Sequence, residues 1–122
     1  MAFSEHLNSI QALLAGSVGP LSADEVRRQI GERSISLATV YRVLKQGVEA
    51  QAFREIPFAQ GPSRYETADR EHHHHFLCGH CDRVFDLPGC SLGMGSMTPA
   101  NFEVLEHEVL LRGICAECRS SK

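Results

Sequence analysis

The sequence predicts a two-part α+β chain, a winged helix-turn-helix over residues 1–67 joined by a short hinge, 68–71, to a small β-rich region over 72–122. Three observations carry this. Up to about residue 50 the apolar residues recur at helical spacing between clear start and stop signals. Beyond that point the pattern alternates like strands around turn-rich segments. All five cysteines and six of the seven histidines fall after residue 67.

The first helix is expected over Ser4 to Ala15, where Leu7, Ile10, Leu13 and Leu14 share one face and Gly16 ends the run. In Ser22-Ala23-Asp24-Glu25, Ser22 is placed to cap a second helix and Glu25 to reach back to the cap amide. That helix runs to about Ile30 and stops at Gly31. A third begins near Ser36, with Leu37, Val40, Leu44 and Val48 as its apolar stripe and Thr39, Arg42, Lys45 and Gln46 outward. Two short helices of this kind have the shape of a helix-turn-helix. Phe53 to Phe58 and Arg64 to Thr67 flank Ala59-Gln60-Gly61-Pro62-Ser63, a hairpin that forms the wing. In the second region His72 to Cys78, Arg83 to Leu87 and Glu103 to Leu111 read as strands.

Composition sets the outer bounds. At 122 residues, 43% hydrophobic and 22% charged, the chain is an ordinary globular protein, which excludes disordered and collagen-like classes. Neither a membrane-spanning run nor a signal peptide is apparent, so a cytoplasmic location is expected and the cysteines are read as thiolates, not disulfides. The net charge of -3 resides wholly in the second region: residues 1–67 carry seven Lys/Arg and seven Asp/Glu. A DNA contact must therefore come from the neutral first region, and a divalent metal would offset the acidity of the other.

Cys78-Gly-His-Cys81 is separated by 33 residues from Cys115-Ala-Glu-Cys118. Each pair offers two thiolates from one turn, and two such turns complete the tetrahedral shell of a structural zinc. Cys-Gly-His-Cys is also the active-site sequence of protein disulfide isomerases, but the residues after it read as a strand instead of a helix. In the run His72-His73-His74-His75, an extended backbone points His73 and His75 to one face and His72 and His74 to the other. One strand can thus supply two ligands to each of two metal sites, with Glu66, Asp86 and His107 as further donors. Imidazole with carboxylate suits zinc, iron, manganese or nickel.

Together, Ser36-Ile-Ser-Leu-Ala-Thr-Val-Tyr-Arg-Val-Leu, Arg64-Tyr-Glu, His72-His-His-His-Phe-Leu-Cys-x-x-Cys and Gly113-Ile-Cys-x-x-Cys resemble the ferric uptake regulator family of bacterial metal-dependent repressors. The resemblance implies a winged-helix DNA-binding domain and an α/β dimerisation domain. It makes Cys78, Cys81, Cys115 and Cys118 the structural zinc site, Glu66, His73 and His75 the regulatory site, and His72, His74 and His107 a second site. Ser36, Thr39, Tyr41, Arg42 and Lys45 then form the DNA-reading surface, with Tyr41 either packing or touching DNA. The partners implied are double-stranded operator DNA and a second copy of the chain, with neither a membrane nor a small-molecule substrate.

Departures from the family pattern qualify these expectations. The sequence starts too late for the usual extra N-terminal helix. His6 stands where many members have an arginine, and a phosphate contact there would weaken on losing its proton. Pro20 replaces a customary histidine ligand, which leaves Glu55 or water as its substitute. The segment between Cys81 and His107 is short and glycine-rich for the long dimerisation helix, and Cys90 is a candidate for the acidic ligand that helix supplies. A Cys90 thiolate would soften the second site and favour zinc uptake control over an iron- or peroxide-responsive role; the alternative is a buried small hydrophobe. The expected ions are therefore Zn2+ in the structural site and Zn2+ or Fe2+ in the regulatory one. Readings of another class are a zinc hydrolase at His73, His75 and Glu66, which needs an open coordination position and a base, a thiol oxidoreductase at Cys78 and Cys81, and a zinc-ribbon interaction module.

Overall fold

Residues 3–31, 35–88 and 97–120 are described by the computed structural model, and they form two units, Met1–Arg70 and Glu71–Lys122. The first contains α1 (Phe3–Ala15), β1 (Leu21–Ser22), α2 (Ala23–Ile30), α3 (Leu37–Glu49), β2 (Phe53–Ile56) and β3 (Arg64–Thr67). The capping signals act as written. Ser22 Oγ accepts from the Glu25 amide at 3.2 Å and Glu25 Oε1 accepts from the Ser22 amide at 2.9 Å, which satisfies two orphan donors of α2. Gly31 closes the helix at φ 76°, a left-handed conformation that glycine adopts without a Cβ clash. Ser36 caps α3 by accepting from the Thr39 amide at 3.1 Å.

Ile10 and Leu14 of α1, Val26 of α2, and Val40, Val43 and Leu44 of α3 close over Phe53 and Tyr65 of the sheet to make the core. The stripe of α3 is displaced from the sequence expectation. Val43 and Gly47 are buried beside Val40 and Leu44, whereas Leu37 is 38% exposed. The reason is a close approach: a Cβ on Gly47 would lie 2.2 Å from the Phe53 ring, so α3 rests directly on that ring. The sheet has order β1-β3-β2 with antiparallel pairing, and Arg54↔Glu66 and Glu55↔Tyr65 are cross-strand partners.

In the second unit β4 (His73–Cys78) lies between β5 (Val84–Pro88) and β6 (Leu110–Gly113), antiparallel to the first and parallel to the second. A short helix, α4 (Ala116–Ser120), follows. The strand expected over Glu103 to Leu111 is a correction: pairing with β4 begins only at His75↔Leu110 and runs to Gly113. A strand needs a neighbour to satisfy its amides, and residues 102–108 have no partner strand among the described residues, while Val109 offers the β4 backbone only its carbonyl, which accepts from the His75 amide at 3.2 Å. Phe102 and Leu105 are accordingly 70% and 86% exposed.

Candidate metal centres and DNA-reading surface

The parallel register of β4 and β6 builds the cysteine quartet. Because Cys78 is paired with Gly113, the turn after β4 and the turn after β6 emerge at the same end of the sheet. The first turn holds Cys81 and is closed by the Asp82 amide donating to Cys78 O at 2.9 Å, with Asp82 at φ 62°. The second carries Cys115 and leads into Cys118 on α4. The four sulfurs lie within 4.8 Å of one another, and Cys81 and Cys115 are 3.9 Å apart. Tetrahedral zinc with bonds of about 2.3 Å places its sulfurs roughly 3.8 Å apart, so the spacing fits.

The backbone prepares Cys78 as a thiolate. The Cys115 amide donates to its Sγ at 3.4 Å, and with the Cys81 amide this holds the thiol down to about 6. Cys81 is also lowered, chiefly by the Arg83 guanidinium, whose Nε donates to Sγ at 3.3 Å. Cys118 is pushed up to about 12 by its neighbour Cys115 and by burial. Four sulfurs gathered about one point are a tetrahedral ligand set, whereas thiol–disulfide exchange needs only two. Cys78 is fully buried at a strand end and a turn follows it, without the helix N-terminus that activates an oxidoreductase cysteine.

The alternation of β4 sorts the histidines as the sequence implies. On one face His73 and His75 have ring centroids 4.8 Å apart. Asp86 of β5, opposite His75 in the ladder, places Oδ1 3.5 Å from His73 Nε2 and 3.6 Å from His75 Nε2. Asp86, named in the sequence as a donor without a site, is placed by the ladder on the His73 and His75 face. The Glu71 carbonyl, 2.6 Å from His73 Nδ1, can only accept; this fixes the proton on Nδ1 and turns the Nε2 lone pair toward Asp86.

On the other face His72, His74 and His107 gather, with His72 Nε2 and His107 Nε2 3.2 Å apart. Burial keeps His74 below the usual histidine range, and the neighbouring His72 and His107 add to this. Its Nδ1 accepts from the Val109 amide at 3.1 Å, so the neutral ring carries its proton on Nε2. Ligation through Nδ1 sacrifices that bond, and ligation through Nε2 displaces the proton. Cys90 lies outside the described residues.

Within the first unit Glu66 is 1% exposed and its Oε2 lies 3.2 Å from Arg54 Nη2, its partner across the β2-β3 ladder. Glu55 is next to Arg54 and faces Tyr65, so alternation puts it on the opposite side of the sheet from Glu66. It is therefore not a substitute ligand beside Glu66. His6 is only 9% exposed on α1, too buried for the phosphate-facing role its position suggests. On α3 the side chains of Tyr41, Arg42 and Lys45 are exposed, Tyr41 by 45%, with Ser36 exposed at the cap and Thr39 half-buried. The Ser36 hydroxyl donates to Thr39 Oγ1 at 3.0 Å, which ties these two to the helix start. No helix among the described residues is long and apolar enough to cross a membrane.

Comparison with known proteins agrees with this architecture. The "ferric uptake regulation protein" of Bordetella parapertussis is 36% identical over 107 residues, 84% of this chain and 77% of the relative. A structure described as a zinc-bound manganese uptake regulator superposes with a TM-score of 0.77 at 26% identity, covering 94% of this chain and 91% of that one. The Helicobacter pylori ferric uptake regulator has the same fold, with a TM-score of 0.77 at 22% identity over 97% of this chain and 82% of its own. The model of the ferric uptake regulator family matches residues 4–112. With its histidine and cysteine clusters held by that fold, the chain belongs to the ferric uptake regulator family, whose members are metal-responsive transcriptional regulators and not enzymes.

Proposed function

We propose that this chain is a homodimeric repressor that binds double-stranded operator DNA when a divalent metal, zinc ahead of iron, occupies a regulatory site of Glu66, His73, His75 and Asp86. Residues 1–67 act as the DNA-binding domain, 68–71 as the hinge and 72–122 as the dimerisation domain. Zinc in the cysteine quartet holds the latter together. The carrying observation is the sorting of β4, which sets His73 and His75 with Asp86 on one face and His72 and His74 with His107 on the other.

Only residues 68–72 separate β3, which carries Glu66, from β4. A metal that takes Glu66 as well as the β4 histidines would couple the two domains across that link. Its effect on DNA binding is a population shift, and moving the balance from 1:99 to 99:1 takes about 5.5 kcal/mol of preference for the bound arrangement. Zinc is favoured because a given set of imidazole and carboxylate donors binds it more tightly than ferrous or manganous ions. Asp86 supports iron as the second reading, since each added oxygen donor suits that ion better. Dimerisation is supported by the apolar side chains of Met97, Phe102 and Leu105, each at least 70% exposed in the single chain.

Elemental analysis of the purified protein, with an operator shift titrated by zinc, iron and manganese, tests the proposal. Retarded DNA at micromolar or lower free zinc is expected. DNA affinity indifferent to all three metals would refute it.

A further inference from the structure

Arg83, the second residue after the first cysteine pair, spans the two halves of the quartet. Its Nε donates to Cys81 Sγ at 3.3 Å and its Nη2 to Cys115 Sγ at 3.8 Å, one sulfur from each C-x-x-C turn. The same Nη2 donates to Glu117 Oε2 at 2.7 Å, and the guanidinium carbon stands 5.1 Å above the Phe85 ring. Four thiolates around a dication leave two negative charges in excess, in a place where Cys78 and Cys115 are buried. Water solvates such a charge poorly there, so a fixed cation with planar donors is the side chain suited to offset it.

We infer that Arg83 is a positioning residue for the quartet: it holds the Cys81 and Cys115 sulfurs at ligand spacing, offsets the charge of the loaded site and shields those two sulfurs from electrophiles. Glu117 accepts from the guanidinium and the Phe85 ring lies beside it, two contacts made without the metal, although the Glu117 side chain is 76% exposed. The asymmetry is specific, because Cys78 takes its hydrogen bond from the Cys115 amide. Loss of the guanidinium therefore acts on one named sulfur in each pair.

This inference rests on the quartet holding zinc, and the test separates the two claims. Full-length parent, Arg83→Met and Arg83→Lys are loaded with zinc. Affinity is measured by competition with a chromophoric chelator, and each cysteine's alkylation by N-ethylmaleimide is followed by mass spectrometry. Arg83→Met keeps an apolar stem and should bind zinc about 10–100-fold more weakly, as expected for loss of a group that orients metal ligands. Its added labelling should fall on Cys81 and Cys115 ahead of Cys78 and Cys118. Arg83→Lys restores charge without the fork and should fall between the other two; it also serves if Arg83→Met fails to load. Parental affinity in Arg83→Met, labelling that rises evenly over all four cysteines, or Arg83→Lys as weak as Arg83→Met would each overturn the inference. A parent that holds no zinc would overturn the structural zinc site as well.

Discussion

Arg64 Nη1 donates to Glu25 Oε1 at 2.6 Å, and the same oxygen accepts the Ser22 amide that caps α2. One carboxylate thus joins the start of a helix to the wing strand β3, 39 residues further along the chain. Both side chains are largely buried, at 9% and 16% exposure. Removing one partner of a buried pair leaves the other desolvated, so Arg64→Met should destabilise the first unit by about 3 kcal/mol. Urea unfolding measures this. A midpoint unchanged from the parent would show that the Ser22 amide and solvent satisfy Glu25 without Arg64.

Gly47 sits where helix propensity and packing disagree. Alanine is favoured over glycine inside a helix by about 1 kcal/mol, yet its Cβ would come 2.2 Å from Cδ2 of Phe53, a ring only 2% exposed. Overpacking of this kind costs about 1–3 kcal/mol, so Gly47→Ala should lower the melting temperature despite its better propensity. Phe53→Leu in the same chain should recover part of the loss. A more stable Gly47→Ala would mean that the ring moves aside freely.

Arg42 is exposed on α3 beside Tyr41 and Lys45. Arg42→Ala should weaken operator binding by about 1–3 kcal/mol and leave the melting temperature unchanged, because the side chain packs on nothing in the core. Normal binding in that variant would place the reading surface elsewhere.

The legible parts of the sequence were those fixed by neighbours along the chain. Ser22 with Glu25, Gly31 and Ser36 mark helix ends through bonds that span three residues or fewer, and the β4 alternation follows from backbone geometry alone. The cysteine quartet was legible because two tight turns each declare themselves. What the sequence hid depends on pairing between distant segments. Asp86 is legible as a donor, but only the ladder that sets it opposite His75 assigns it to one of the two histidine faces. The alternating pattern of 103–108 resembles a strand, but among the described residues ladder pairing with β4 starts only at Leu110. Val43 and Leu37 exchanged roles in α3 because the approach of Phe53 to Gly47 rotates the buried stripe.

The metal-free protein should lose stability in acid. Burial disfavours the proton on His74, so the unfolded chain binds it more readily than the fold does and stability falls as pH drops through the ordinary histidine range. Cys78, held down to about 6, adds a contribution present above the ordinary thiol range and lost as pH falls toward 6. The reduced, zinc-free chain should therefore melt at a lower temperature at pH 5 than at pH 7, with His74→Leu flattening the lower part of the profile. A profile rising toward acid would contradict both directions.

The two histidine faces should differ in metal affinity and in effect. His73 already has its Nδ1 proton fixed by the Glu71 carbonyl and its Nε2 lone pair aimed at Asp86, so loading that face requires little rearrangement. On the opposite face His74 must break its bond to the Val109 amide or release its Nε2 proton before it can ligate. The face of His73, His75 and Asp86 should fill first in a zinc titration of a chain whose quartet is already loaded. His73→Ala together with His75→Ala should give a folded chain that keeps the quartet zinc but no longer retards operator DNA on metal addition. Asp86→Asn keeps the shape and removes the charge, so it should shift the metal dependence of the DNA shift to about 10–100-fold higher concentration without abolishing it. His72→Ala should leave the first filling step intact and weaken only the second. Full metal-dependent DNA binding by the His73 and His75 double variant would move the switch to His72, His74 and His107, with Cys90 as the next residue to replace.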